Sequence, residues 1–337
     1  MKKINIENLK KGDIVLTTSS KKKPSGIIRA VTNSDISHAM ICVSYSSVID
    51  STGEGVQARN IQKISYEDSC AIYILRSKAP LSDEVIEKIT NYARSVTGTR
   101  YSIAEAAVSV VPNFLKNSGK KQFCSRMVAR AYSVAGIDLV NNPDFCTPND
   151  IKNSSLLFFV DKPSIQVNEE EIQAIEEEGD TTEGMRKVTN SLLADLRNID
   201  PSIESINDID TLIIRKPELD SIISEKLENS GYLDFWETEP SRFPWRYDPI
   251  KMAQLYHSLE DQEVLLDYCR DTIEQNKNGD FKHWRINADG YRNLHSKFNY
   301  KTFLLYANLY FKLASQHEIR VKTAETLLSV YGNKSLQ

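Results

Sequence analysis

Three residues in the first half of the chain have the side-chain types that thiol-based acyl transfer requires: Cys124, His38 and Asp50. A thiol attacks an acyl carbon as a thiolate, and a neighbouring imidazole can take the proton and later pass it to the leaving group. A third polar group fixes the orientation and tautomer of the ring. The three types therefore predict a nucleophile, Cys124, a general base and acid, His38, and an orienting carboxylate, Asp50.

Each of these residues also has an ordinary structural interpretation. A cysteine just before a helix is usually a small buried hydrophobe, and a histidine at a strand end is usually a satisfied polar residue. Asp50 precedes the stretch STGEG, where an aspartate is typical of a turn. The spacing along the chain does not by itself bring Cys124 next to His38, so the residues alone leave both interpretations open.

Short β-like segments carry the histidine and the aspartate. They are rich in Val, Ile and Tyr and are separated by Gly, Ser and Asn, which predicts strands: GDIVLTT, HAMICVSY, SVIDS, GVQARNI and CAIYILR. His38 begins the second of these segments, and Asp50 lies in the third. The strand register around Ser46 and Ser47 is not fixed by the sequence.

The cysteine lies at the predicted beginning of a helix. The segment FCSRMVARAYSVAGIDL has apolar residues at helical spacing, and Gly136 stands where a helix C-terminus favours glycine. The dipole at a helix N-terminus lowers the pKa of a thiol, and the free N–H groups there can stabilise an oxyanion. Cys146 is the other candidate nucleophile, Cys42 and Cys70 are predicted to be core residues, and Cys269 is assigned to a helix.

The second half of the chain has a different composition. Eight acidic residues and no basic residue occur between Glu169 and Glu183, which is typical of a solvated helix or a linker. The segments beyond are mostly helical in pattern and rich in aromatic residues. We therefore predict a catalytic domain over residues 1–162, an acidic linker or helix over 163–185, and a helical C-terminal domain over 186–337.

Composition excludes several classes of function. The net charge of −4 gives no global basic field, so we expect no nucleic-acid partner. The five cysteines form no CxxC or zinc-like pattern, so we expect no disulfide framework, no metal and no cofactor. The N-terminus lacks the apolar region of a Sec signal peptide, and we find no transmembrane stretch. We expect a cytoplasmic location as synthesised, with export by a signal-independent route left open.

The segments GDIVLT, SDISHAMICV, VIDSTGEGVQ, TGTRYS and FCSRMVARAY, in that order, resemble the circularly permuted branch of the NlpC/P60 papain-like superfamily. The resemblance is to the YiiX/YebB-like group, and lecithin:retinol acyltransferase-like enzymes share the order. In this branch the histidine strand precedes the cysteine helix. The resemblance covers about residues 8–155 and implies an α+β fold, with an antiparallel sheet and the cysteine at a helix N-terminus.

The resemblance implies roles for individual residues. Cys124 corresponds to the nucleophile, His38 to the general base and acid, and Asp50 stands where relatives place a polar orienting residue. Glu54 is the rival for that orienting role. Tyr101 resembles a tyrosine that lines the cleft, and we predict that Glu54 and Ser125 contribute to the same cleft.

Thiol chemistry predicts a thioester intermediate but does not choose between an ester and an amide substrate. The permuted order and the apolar segment IAEAAVSVVPNFL favour an acyl-lipid hydrolase or acyltransferase, with a membrane surface as a candidate partner. Part of an apolar cleft wall is expected from this segment: Ile103, Val108, Val110, Val111 and Phe114. The alternatives are an amidase acting on peptidoglycan or other peptides, and a non-catalytic binding module. A bacterial toxin or effector role, with a protein partner for the C-terminal helices, is a further hypothesis.

Overall fold

The computed structural model describes residues 1–18, 35–101, 122–180 and 182–332. The chain forms two compact units, Met1–Ile209 and Asp210–Gln337. This division follows compactness alone, so the predicted functional boundaries at residues 162 and 185 stay predictions. No helix within the described ranges combines the length and the apolar character that crossing a membrane requires.

The first unit contains strands arranged in two antiparallel sheets. A small sheet pairs the first and the last strand, and a six-stranded sheet has the order β5-β4-β3-β2-β6-β7. The strands are β1 (Lys2–Ile4), β2 (Ile14–Thr17), β3 (His38–Ser44), β4 (Ser47–Thr52), β5 (Gly55–Asn60), β6 (Ile72–Ser77), β7 (Leu157–Phe159) and β8 (Ser164–Gln166). The pairings between these strands are antiparallel, so the predicted α+β class with an antiparallel sheet is confirmed.

Among the described residues, three helices lie between β6 and β7, and helices dominate the chain after β8. The helices are α1 (Asp83–Ser95), α2 (Cys124–Val134), α3 (Pro148–Lys152), α4 (Glu169–Glu178), α5 (Glu183–Ile199), α6 (Asp208–Arg215), α7 (Asp220–Asn229), α8 (Thr238–Arg242), α9 (Pro249–Ser258), α10 (Glu263–Lys277), α11 (Lys282–Phe298) and α12 (Lys301–Tyr331). The mostly helical C-terminal region is thus confirmed. The acidic segment is helical in α4, where Asn168 and Glu171 form a capping box.

Both faces of the six-stranded sheet are covered by apolar side chains. Because side chains alternate along a strand, neighbouring residues of β2 and β3 enter different clusters. Ile14 and Ile41 pack with Met127 and Val128 of α2 on one face. Residues of the other cluster include Val15, Met40, Cys42, Val48 and Ile74. Each fully buried aliphatic side chain contributes about 1.5–3 kcal/mol, and this packing fixes α2 against the sheet.

The hairpin formed by β4 and β5 depends on one glycine. Gly55 has a φ of +92°, a conformation that residues with a Cβ rarely adopt. A Cβ at this position would also lie 2.6 Å from the backbone oxygen of Thr99. Glycine is therefore required where the hairpin turns, and that hairpin carries Asp50.

The second unit has its own helical core. Residues of α9, α10 and α12 pack together there: Met252, Leu265, Leu266, Cys269, Ala324 and Leu327. Cys269 lies on α10, the helix to which the sequence assigns it, and is buried in this core.

Candidate active site

His38 and Asp50 project from the same face of the sheet. Asp50 of β4 pairs with Met40 of β3, and His38 lies two residues before Met40. Alternation along the strand therefore directs both side chains to one face, where they are diagonal neighbours. His38 Nε2 lies 3.0 Å from Asp50 Oδ2, and Asp50 is only 2% exposed. The structure thus brings together the predicted general base and the predicted orienting carboxylate.

Cys124 is the first residue of α2, and its side chain is close enough to His38 to raise the pKa of the imidazole. The helix begins there after Phe123, which has extended backbone, and it ends at Val134, with Gly136 in a left-handed conformation beyond it. The predicted place of the cysteine at a helix N-terminus is confirmed. Since His38 Nε2 is bonded to Asp50, Nδ1 is the ring nitrogen that remains for the thiol. The imidazole of His38 therefore lies between the thiol of Cys124 and the carboxylate of Asp50.

The surroundings of the imidazole favour its protonated form. Burial alone would lower the pKa of His38, but hydrogen bonds to Asp50 and Cys124, together with the charges of these two groups, raise it from 6.5 to about 10. The ring is therefore an imidazolium near neutral pH. An imidazolium and a helix N-terminus are both surroundings that activate a cysteine.

Asp50 has a second partner that the sequence did not reveal. Arg59 Nε donates to both carboxylate oxygens of Asp50, at 2.8 Å each. Arg59 lies on β5 two residues beyond Gln57, which pairs with Asp50. The only signal in the sequence was the alternation of Gln57 and Arg59 in GVQARNI, and it becomes informative only when the register of β4 against β5 is known.

Glu54, the rival orienting residue, has other partners. Its Oε2 lies 3.1 Å from Arg59 Nη2 and 3.4 Å from Arg186 Nε. The carboxylate bonded to the ring is thus that of Asp50, while Glu54 lies on the far side of Arg59.

The other two predicted cleft residues differ in their surroundings. Tyr101 forms a backbone bridge with Gln122, and burial together with the nearby charge of Cys124 raises its pKa. The side chain of Tyr101 therefore lies near enough to Cys124 for an electrostatic interaction between the two groups. The Ser125 hydroxyl is buried and donates to the carbonyl oxygen of Cys146 at 2.6 Å, so it has a structural partner inside the fold.

The remaining four thiols are buried, and the surroundings of two of them disfavour ionisation. Burial, followed by the charges of Asp150 and Cys124, raises the pKa of Cys146 to about 12. Burial also raises the pKa of Cys269 to about 12. Cys42 and Cys70 are buried in the core, as predicted.

Two further expectations from the sequence concern an apolar cleft wall and the absence of a metal site. The expected apolar wall lies outside the described residues: Ile103, Val108, Val110, Val111 and Phe114. Within the described ranges, no three His, Cys, Asp or Glu side chains come together as a metal-binding group.

Comparisons with known proteins find similarity to part of the first unit. Residues 8–153 match the family model of the permuted papain-like amidase enzymes, the YaeF/YiiX or C92 family. The crystal structure of the metalloprotein yiiX from Escherichia coli O157:H7 is 19% identical, with a TM-score of 0.37, over 45% of this chain and 97% of that chain. No curated protein matches the chain. The match over residues 8–153, less than half of the chain, supports the resemblance to the circularly permuted papain-like family that the order of the motifs predicts.

Proposed function

We propose that the chain hydrolyses an amide bond through a thioester on Cys124, with His38 as general acid and base and Asp50 as the orienting residue. The observation that carries the proposal is the hydrogen-bonded pair of His38 and Asp50 beside Cys124, which is the first residue of α2. The three residues supply a nucleophile, a proton carrier and an orienting group in the order that acyl transfer needs.

The first half of the reaction forms the thioester. The Cys124 thiolate attacks the carbonyl carbon, and the electron pair of the C=O bond moves to oxygen. As that pair returns, the C–N bond breaks and the His38 imidazolium gives its proton to the leaving nitrogen. An acyl group is then bound to Sγ, the amine has left, and the ring of His38 is neutral.

The second half releases the acid. Neutral His38 takes a proton from water while the water oxygen attacks the thioester carbon. The C–S bond then breaks, which returns the thiolate of Cys124 beside a protonated ring. Asp50 accepts a hydrogen bond from Nε2–H throughout, which fixes the tautomer and directs Nδ1 toward the sulfur.

The helix that begins at Cys124 also suits the developing oxyanion. The N–H groups of the first helical turn have no acceptor within the helix. Those of Cys124 and Ser125 are the nearest in sequence to the attacking sulfur, so we assign them as candidate donors to the oxyanion.

The choice of an amide over an ester is supported by the amidase description of the family that residues 8–153 match. Acyl-lipid hydrolysis, which the apolar segment favoured at the level of sequence, is the competing outcome. An effector role, and a protein partner for the helical second unit, stay predictions from the sequence.

The test compares the two substrate classes under identical conditions. The full chain is incubated with peptidoglycan fragments and with vesicles of mixed bacterial phospholipids, and mass spectrometry follows new amines and free fatty acids. We expect amide cleavage in the wild type, none with Cys124→Ala, and no fatty acid. Cys124-dependent release of fatty acid would replace the amide proposal with the lipid one, and cleavage that survives Cys124→Ala would overturn the nucleophile.

A further inference from the structure

A line of ion pairs continues from Asp50 away from the ring. Arg59 bonds both oxygens of Asp50, and its Nη2 donates to Glu54 at 3.1 Å. Glu54 pairs with Arg186, whose Nη1 lies 2.6 Å from Asp180. The side chains of Arg59 and Arg186 are 15% and 10% exposed. Each carboxylate in the line therefore has a mostly buried guanidinium as its neighbour.

Arg59 restricts the plane of the Asp50 carboxylate. Its Nε lies at equal distance from both oxygens, 2.8 Å, and its Nη2 donates to Thr52 at 3.0 Å and to Glu54. A guanidinium bonded at several atoms is a planar, fixed donor. Rotation of the carboxylate about its χ2 angle would break these bonds, so Oδ2 is held toward His38.

The far end of the line lies on a helix outside the region that matches the family. That match ends at residue 153, whereas Arg186 lies on α5. The same helix bonds the β4–β5 hairpin directly, because Asn190 accepts from Gln57 at 2.8 Å and donates to the Glu54 carbonyl at 3.3 Å. Just before α5, Thr182 donates to the carbonyl of Ala58 at 3.2 Å. The hairpin that carries Asp50 and Arg59 is thus held by the segment that follows the family domain.

We propose that Arg59 is a positioning residue for the Asp50–His38 pair, and that helix α5, through Arg186, holds Arg59 in place. The inference rests on the proposed function, since it names residues that serve the same site. It assigns the segment around residues 180–199 to the working catalytic unit.

The same sheet provides a matched control. Arg76 donates to both oxygens of buried Asp13, at 2.8 and 2.7 Å. The other bond to Asp13 comes from the backbone N–H of Lys10. Arg76→Gln therefore breaks a buried Asp–Arg pair of similar chemistry whose carboxylate is bonded to backbone and not to His38.

The decisive measurement is the pKa of His38 by NMR in the full chain. It is made in a Cys124→Ala background, so that it does not depend on turnover. The chain has five histidines, and His38→Gln identifies the signal. The variants Arg59→Gln, Arg59→Lys, Arg186→Gln and Arg76→Gln are compared, with thermal unfolding to establish that each is folded.

The two possible roles of Arg59 predict opposite changes in the pKa of His38 when Arg59 is replaced. If Arg59 positions Asp50, Arg59→Gln weakens the bond to the ring and the pKa of His38 falls, by about one unit. If Arg59 is only a nearby positive charge, its removal raises the pKa of His38. Arg59→Lys keeps the charge, so a fall there as well supports positioning. Arg186→Gln is expected to give a smaller fall and Arg76→Gln none.

The outcomes separate this inference from the proposed function. A rise or no change with Arg59→Gln overturns positioning even if Cys124-dependent hydrolysis is found. A fall supports positioning even if no substrate has yet been cleaved. An unchanged pKa of His38 in Arg186→Gln would contradict the role of α5. A fall of that pKa in Arg76→Gln would show that destabilising the sheet is enough to change it. In a hydrolysing enzyme, Arg59→Gln should lower kcat about 10–100-fold with KM nearly unchanged.

Discussion

Two buried Asp–Arg pairs lie on the six-stranded sheet, and they differ in what else the carboxylate bonds. Asp13 and Asp50 are each 2% exposed, and each receives hydrogen bonds from one guanidinium. The other partner of the Asp13 carboxylate is the backbone N–H of Lys10, whereas that of the Asp50 carboxylate is the ring of His38. One pair thus holds the backbone before β2 in place, whereas the similar second pair holds the ring of His38.

The surroundings of the arginines differ in the same way. Arg76 Nη2 bonds the backbone carbonyl of Asn8 at 2.8 Å, which completes a purely structural unit. Arg59 bonds the side chains of Thr52 and Glu54, and through Glu54 the line reaches α5. The comparison teaches that the chain of side-chain partners, and not the burial of the ion pair, distinguishes a site from a structural support.

The largest effect is expected where the ring and the thiol themselves are removed. Cys124→Ser should abolish turnover, and His38→Ala should be nearly as damaging, because a nucleophile and its base act as a unit, with losses of about 10⁴-fold or more. Steady-state kinetics on the cleaved substrate, beside thermal unfolding, measures this. Substantial turnover by either folded variant would contradict the assigned roles.

A smaller loss should separate the two aspartates. Asp50→Ala should lower kcat by roughly 10–10⁴-fold, since an orienting group assists the base without replacing it. Asp13→Ala should lower the yield of folded protein but leave kcat per folded molecule nearly unchanged. Glu54→Ala is the check on the rival: full activity of Asp50→Ala beside an inactive Glu54→Ala would transfer the orienting role to Glu54.

Much of this candidate site could be predicted from the sequence, because local residue patterns and the order of the motifs indicate its residues. Cys124 precedes a run with helical spacing that ends near Gly136, so its place at a helix N-terminus follows from local pattern. The resemblance then supplied the partner, because no spacing rule brings His38 beside it. The order of the motifs and the residue types were sufficient to choose these three residues, whose catalytic roles stay predictions.

Arg59 and α5 could not be predicted, because their roles depend on register and on contacts distant in sequence. A slip of one residue between β4 and β5 would move Arg59 to the other face of the sheet. The pairing of β3 with β4 also shifts between Cys42 and Ser44, which no pattern in the sequence indicates. The bonds from Asn190 to the hairpin span more than 130 residues.

Breaking either ion pair should cost stability. Removing one partner of a buried pair leaves an uncompensated charge and typically costs about 3–5 kcal/mol. We expect Arg59→Gln to lower the free energy of unfolding more than Arg76→Gln, because the side chain of Arg76 is more exposed, 26% against 15%. Chemical denaturation of the full chain measures both. A cost below about 0.5 kcal/mol for both variants, the size of an ordinary surface substitution, would contradict the charge pairing described here.

The stability contributed by the Asp50–Arg59 pair should also depend on pH, because His38 is bonded to Asp50, whereas no histidine is bonded to Asp13 in the described part of the chain. The folded pKa of His38 is about 10, above its ordinary value of 6.5. The stabilisation from the protonated ring is therefore fully present below about pH 6.5 and is lost as the pH rises through about 10. The difference in unfolding free energy between wild type and His38→Gln should shrink over this range. A difference that stays constant or grows would contradict the ring's contacts with Asp50 and Cys124.

The central claim is that Cys124 and His38 form an activated pair, and differential alkylation tests it most directly. The folded chain is treated with iodoacetamide between pH 5 and 9, and peptide mass spectrometry follows all five thiols in wild type and in His38→Ala. We expect Cys124 to react first near neutral pH and to slow markedly without His38, because the imidazolium favours the thiolate. Faster labelling of Cys146 or Cys269, or a rate at Cys124 that does not depend on His38, would contradict the account.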